Sequence, residues 1–333
     1  MTGRGEEGSP PAAARGDGAP PAARSELHRR LLAGGFVVTA ELATTDSADP
    51  ASVLELAEAL RGKVDAVNCT DNSAAHPHLA PMAAAHLLID AGLEPIMQFA
   101  CRDRNRLALQ ADLLGAAALG VRNVVCMTGD DVSAGDHPEA KPIYDIDAIH
   151  LLRIARTMRD HATYLSGRPL AQPPSFLIGA VENPFAPPLD FRPMRLGKKI
   201  EAGAEFIQTQ ICFNVEKLRV FMSRTTELGL LEHAWVLAGI FIPRTAKGTW
   251  YLRDMVPGVD VPDGVVERMD GTPPERQREE GIRIALELIE EVRSIPGISG
   301  VHLMSIRNEE AILRVIDEAG LLPRPEVPPG RTE

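Results

Sequence analysis

Eight short apolar runs, each stopping at a polar or acidic residue, constrain the fold of this chain more than any other feature. They read FVVTAEL (Phe36 to Leu42), DAVNCTDN (Asp65 to Asn72), PIMQFACRDRN (Pro95 to Asn105) and NVVCMTGDD (Asn123 to Asp131). The other four are PSFLIGAVEN (Pro174 to Asn183), EFIQTQICF (Glu205 to Phe213), AWVLAGIFIP (Ala234 to Pro243) and SGVHLMSIRN (Ser299 to Asn308). Stretches with helical spacing separate them, such as ASVLELAEALRG after Pro50, NRLALQADLLGAAALG after Arg104 and DAIHLLRIARTMRD after Ile146. Strand and helix signals in alternation indicate an α/β protein with a parallel sheet, and eight units predict a closed (β/α)8 barrel of the TIM type. The C-terminal strand ends of such a barrel converge on one mouth, so Glu41, Thr70, Asp130 and Gln210 are expected on a common acidic, amide-rich rim.

With 333 residues and no compositional break in the middle, a single barrel over residues 26–321 is the expected domain. Residues 1–25 are rich in Gly, Pro, Ala and Arg, and residues 322–333 read LPRPEVPPGRTE, so both tails are expected to be disordered. A net charge of −11 and an aromatic content of 4% argue against a nucleic-acid binder. No apolar stretch approaches a membrane span and the N-terminus lacks the apolar region of a secretion signal, so a cytoplasmic protein is expected. The four cysteines, Cys69, Cys101, Cys126 and Cys212, have no zinc spacing and fall near strand ends, where reduced core packing is the expectation and no metal is called for.

Two segments interrupt the rhythm. Thr128 to Asp147 is far longer than an ordinary strand-to-helix connection and reads as a ligand clamp on the mouth. Met255 to Glu275 is a second excursion rich in Pro and Gly, which either shapes the mouth or repositions the last helix. His76 and His78, in HPH, lack a third ligand at a recognisable spacing and read as loop histidines. In CRDRN, Arg102 and Arg104 flank Asp103, a pattern that suits either an anionic ligand or an internal ion pair pinning the loop.

Several long motifs in order resemble the methylenetetrahydrofolate reductase family: VNCTDN, CRDRNRLALQADLLGAAALGVRNVVCMTGD, YDID, KKIEAGAEFIQTQICFNVE, AGIFIP and VPGVDVPDGVVERM. The resemblance runs from about Phe36 to Asn308 and is nearest to the variant joined to a homocysteine methyltransferase domain. It implies a (β/α)8 barrel that reduces 5,10-methylenetetrahydrofolate to 5-methyltetrahydrofolate, with FAD relaying hydride from NADH or NADPH. It implies Glu41 as the acid that opens the imidazolidine ring, Asp130 as the carboxylate between flavin and pterin, and Gln210 as the amide touching folate and nicotinamide in turn. It further implies Thr70, Gln98, Thr128, Gly129, Asp130, Tyr144, Asp147, Asn183 and Lys199 at the cofactor. Departures are Thr128 where the better-known branch has arginine, Gln98 and Asn183 where it has histidines, and a missing aromatic near Ala246.

The chemistry agrees with those roles on its own terms. The methylene bridge must become an iminium before it accepts hydride, and a carboxylic acid beside the leaving amine assists by donating a proton. Glu41 follows the apolar run FVVTA and suits that task, or else pairs with a cation across the rim. Gly129 permits close approach while Asp130 offers paired acceptors, with a turn-forming Asp as the alternative. Lys199 reads as a phosphate ligand or a solvated helix lysine, and Asp147 as a ribose ligand or a helix cap. Folate is the expected substrate, homo-oligomerisation the expected assembly, and a methyltransferase or electron-transfer protein the expected partner class. A folate-binding, redox-weakened accessory protein of a methyltransferase system is the alternative function.

Overall fold

A computed structural model describes residues 22–42, 45–306 and 308–326. The eight runs all form strands: β1 (Val37–Glu41), β2 (Ala66–Cys69), β3 (Pro95–Ala100), β4 (Asn123–Met127), β5 (Leu177–Glu182), β6 (Phe206–Ile211), β7 (Trp235–Phe241) and β8 (Ile298–Met304). They pair in parallel in sequence order, and β8 closes on β1 through the Val37–Gly300 and Thr39–His302 register. The helices are α1 (Glu26–Leu32), α2 (Ala51–Leu60), α3 (Pro81–Asp90), α4 (Arg106–Ala118), α5 (Ala148–His161) and α6 (Arg192–Ala202). They continue with α7 (Val215–Glu227), α8 (Ala246–Met255), α9 (Asp263–Asp270), α10 (Gln277–Arg293) and α11 (Glu309–Glu318). The expected (β/α)8 barrel is therefore the fold.

Local chemistry starts several helices at the mouth. Asn105 caps α4 by accepting from the N–H groups of Leu107 and Ala108, each at 3.1 Å, and Thr245 caps α8 through Gly248 N at 3.0 Å. Each cap satisfies N–H groups that the first helical turn leaves orphaned. The excursion after β7 is more regular than its Pro and Gly content suggested, because α9 occupies residues 263–270 with Val266 and Met269 buried. The prolines at 262 and 273 bracket this helix and leave its interior intact.

The barrel interior changes character along its axis. At the N-terminal end Val37, Ala66, Ile96, Val125, Leu177, Phe206 and Leu237 pack together, and α1 stoppers them with Leu27 and Leu31. Gly179 makes room for the Phe206 ring, since a Cβ there would stand 2.4 Å from it. One layer higher the side chains are polar. Asn68 on β2 and Gln208 on β6 exchange amide hydrogen bonds of 2.8 and 3.0 Å, which must cross the interior because these strands stand on opposite sides of the barrel. Thr39 hydrogen-bonds His302 Nδ1 at 3.0 Å in the same layer. A dry base under a polar layer leaves the chemistry to the upper end.

The tails engage the barrel further than composition suggested. Arg24 pairs with Glu205 at 2.8 Å, and Arg324 grips buried Asp65 through two bonds of 3.1 and 2.6 Å while donating to Phe36 O at 2.7 Å. Ordered contacts thus reach beyond both expected boundaries, at 25 and 322, because the partly buried Glu205 and the fully buried Asp65 at the barrel base recruit arginines from either end. Residues 1–21 and 327–333, where the rest of the expected tail disorder falls, lie outside the described residues. Among the described residues no helix is long and apolar enough to cross a membrane.

Candidate active site

At the C-terminal end of the barrel lies a cavity of about 230 Å³. Glu41 ends β1, Gln98 enters from β3, Gln208 and Gln210 from β6, and His302 and Met304 from β8. Glu182 and Asn183 close the β5 side, with Arg195 and Lys199 reaching in from α6. Five sequence candidates, Glu41, Gln98, Asn183, Lys199 and Gln210, are therefore brought together.

Gln210 owes its place to a bulge. Gln208 pairs with Leu237 but Ile211 pairs with Gly239, so β6 carries one extra residue between them. Such an insertion re-aims the side chain beside it. Thr209 Oγ1 accepts from Gly239 N at 2.9 Å, and a Cβ on Gly239 would stand 2.5 Å from Thr209 O. Gln210 Oε1 accepts from Ile211 N at 2.9 Å, which pins the amide oxygen. Gln98 is buried and makes no hydrogen bond through its amide among the described residues, so both its donor and acceptor are available to a ligand.

Behind Glu41 stands His302, a residue that sequence reading did not single out. Its Nε2 lies 3.8 Å from Glu41 Oε2, and its Nδ1 bonds Thr39. Only 3% of His302 is exposed, which places an imidazole between a buried hydroxyl and a half-buried carboxylate. The strand period of two would have found it, since Gly300, His302 and Met304 share one face of β8.

Lys199 differs from the sequence expectation. Its ammonium is buried, donating to Glu182 Oε2 at 2.7 Å and Val181 O at 2.5 Å, and burial holds its pKa below the ordinary lysine value despite Glu182. It is neither solvated nor free to meet a phosphate. Arg192 approaches Glu182 at 4.0 Å and Asn183 N donates to Glu182 Oε1 at 3.0 Å, so one carboxylate organises this wall. Asn183 spends its own amide on Gly258 O at 2.9 Å and Phe185 N at 3.0 Å, tying two rim loops together. Arg195 makes no hydrogen bond or ion pair among the described residues and faces the cavity.

The remaining candidates lie outside the cavity lining. Thr70 is buried beyond the end of β2. Thr128 Oγ1 accepts from Ala148 N at 3.3 Å, and Asp147 caps α5 through His150 N at 2.8 Å, its structural alternative. Tyr144 donates its hydroxyl to Asp130 O at 2.8 Å. Gly129, with φ +95°, sits against Arg102 Cβ, where a Cβ of its own would be 3.1 Å away. The Asp130 carboxylate accepts from Ala74 N at 3.0 Å and so points to the loop after β2.

The arginines of CRDRN form internal ion pairs. Arg102, 2% exposed, grips Asp103 through two 2.8 Å bonds, which raise the Arg102 pKa and lower that of Asp103. Arg104 bonds Asp112 at 3.0 Å and Asp71, whose pKa is nevertheless raised by burial. His78 meets Asp46 at 2.6 Å and His76 meets Asp136 at 3.5 Å. No group of metal-ligating side chains occurs among the described residues. All four cysteines are buried free thiols with raised pKa, Cys101 to about 12.

A methylenetetrahydrofolate reductase family model matches residues 27–320. The chain belongs to this family. Methylenetetrahydrofolate reductase 2 of Schizosaccharomyces pombe is 24% identical over 251 residues, covering 74% of this chain and 38% of the relative. The 5,10-methylenetetrahydrofolate reductase of Pectobacterium carotovorum subsp. carotovorum is 24% identical over 234 residues, covering 70% of this chain and 72% of that one. The chain thus spans well under half of the fission-yeast family member. A Clostridium thermocellum protein described as binding two copies of 5-methyl-5,6,7,8-tetrahydrofolic acid superposes with a TM-score of 0.60 at 15% identity, covering 90% of this chain and all of that one. That likeness is one of fold.

Proposed function

We propose that this chain reduces 5,10-methylenetetrahydrofolate to 5-methyltetrahydrofolate with a reduced nicotinamide as hydride donor. The observation carrying the reading is the juxtaposition of Glu41, backed by His302, with the open amide of Gln98 and the Nε2 of Gln210 in one polar cavity on a family barrel. Opening the imidazolidine ring places a proton on the departing amine, and Glu41 holds that proton at its carboxyl oxygen. His302, 3.8 Å behind, replaces it after transfer. The Gln98 amide accepts from and donates to the folate, and Gln210 donates to it through Nε2, which orients the methylene carbon. NADH or NADPH supplies the hydride when bound, and a Caenorhabditis elegans relative carries NADPH in its name.

The flavin expected from the resemblance fits these residues poorly. Lys199 is committed to Glu182, the Thr128 hydroxyl accepts from Ala148 N, Asp147 caps a helix, and no Phe, Tyr or Trp is among the described residues lining the cavity. A diphosphate would meet Arg195 alone on that wall, so no step is derived through FAD. The same commitments favour, as a second reading, a folate-binding accessory protein of a methyltransferase system.

The absorption spectrum of the purified protein, followed during NADH or NADPH oxidation with 5,10-methylenetetrahydrofolate, separates these readings. A colourless protein that oxidises the nicotinamide only when the folate is present is the expected result. A flavin band that bleaches with the nicotinamide and returns with the folate restores FAD. Folate binding without turnover, with or without added FAD, moves the assignment to the accessory protein.

A further inference from the structure

The loop after β2 adopts backbone conformations that L residues rarely take. φ is +49° at Asn72, +52° at Ala74 and +60° at Ala75. Asparagine tolerates the left-handed region, whereas alanine there brings Cβ against its following carbonyl. Such conformers persist only where their surroundings over-determine them. Here the restraints are identifiable. Asp130 Oδ2 accepts from Ala74 N at 3.0 Å, Asn72 Oδ1 accepts from His78 N at 3.2 Å, and Arg102 donates to Asn72 O at 3.0 Å. Gly135, from the loop after β4, lies against Ala75 so closely that a Cβ would stand 2.0 Å from its carbonyl oxygen.

Asp130 is the member of this set that can let go. Its main-chain carbonyl is held by Tyr144 at 2.8 Å and Arg102 at 3.4 Å, while its exposed carboxylate has Ala74 N as its sole hydrogen-bond donor among the described residues. We propose that residues 72–76 form a strained clasp held shut by the Asp130 carboxylate, and that the ligand of the barrel mouth opens it by taking that carboxylate away. The ligand's identity rests on the folate reading above. A pterin offers an amino group beside a ring N–H, a donor pair that one carboxylate accepts in bidentate fashion, whereas Ala74 offers a single N–H. Relaxation of Ala74 and Ala75 offsets the bond that is lost, so closed and open states differ little and a ligand with a preference for one can switch them.

Amide hydrogen exchange over residues 72–78 of the full chain, read by mass spectrometry with 5-methyltetrahydrofolate as probe, tests the clasp. Saturating probe is expected to speed exchange there by about tenfold, and Asp130→Asn to do the same without probe. Ala74→Gly/Ala75→Gly relieves the strain of the closed state, so the probe is expected to bind about five- to thirtyfold more weakly. Exchange unchanged by Asp130→Asn and by bound probe overturns the clasp and leaves the folate reading standing. A probe that does not bind, while Asp130→Asn still frees the segment, overturns opening by folate and with it the folate reading of the mouth.

Discussion

Replacing Lys199 by methionine should destabilise the barrel far more than the loss of a helix lysine normally does. Its side chain is 4% exposed, and its ammonium lies 2.7 Å from the carboxylate of Glu182, whose side chain is 1% exposed. The substitution keeps the apolar stem and strands Glu182 with Asn183 N and an arginine at 4.0 Å. Removing one partner of a buried pair costs about 3–5 kcal/mol, because the other charge remains desolvated. Urea unfolding should show a midpoint lower by about 1–2 M at unchanged slope. The double variant Glu182→Gln/Lys199→Met removes both charges and should recover at least about 2 kcal/mol relative to the sum of the single changes. Lys199 also sets a pH dependence with a definite sign. Burial holds its pKa below 10.5, so between that lowered value and 10.5 the unfolded chain binds more protons and this group makes stability rise with pH. A Lys199→Met loss below about 1 kcal/mol, the cost of an exposed pair, would refute the argument and return Lys199 to the list of free cations.

Other changes probe the base, the rim and the tail. Gly179→Ala should cost about 1–3 kcal/mol in urea unfolding, since its Cβ would overlap the Phe206 ring at 2.4 Å; a neutral result would mean that the base is loosely packed. Asp145 accepts from Arg106 N, Nε and Nη2 at 3.0, 2.7 and 2.9 Å, which lowers its pKa to about 2. Its contribution to stability is present above the ordinary value of 3.8 and is lost as pH falls through about 2, and Arg106→Gln should return its NMR-detected titration to the ordinary carboxylate range. Arg324→Ala should cost about 2–3 kcal/mol by leaving Asp65 to Val38 N and Arg30, and truncation before 322 should match it. An unaltered unfolding midpoint after truncation would show that this contact contributes nothing in solution.

The sequence by itself determined the barrel. Apolar runs interrupted by helical spacing admit few arrangements, and the runs ended close to the strand ends because a backbone leaving a sheet needs polar residues and caps, as Asn105 and Asp147 supply. It also marked Glu41, Gln98, Asn183, Lys199 and Gln210, all of which meet at the mouth. What tertiary structure decided is which polar groups remain free. Lys199, Asp130 and Thr128 looked available in one dimension, yet each is engaged by a partner 17, 56 or 20 residues away. His302 and Asn68 acquired their roles only when β8 closed on β1 and β2 faced β6 across the interior. Composition and spacing report which groups a chain owns, but hydrogen bonds are exclusive and short-ranged, so their allocation follows from the closure of the barrel.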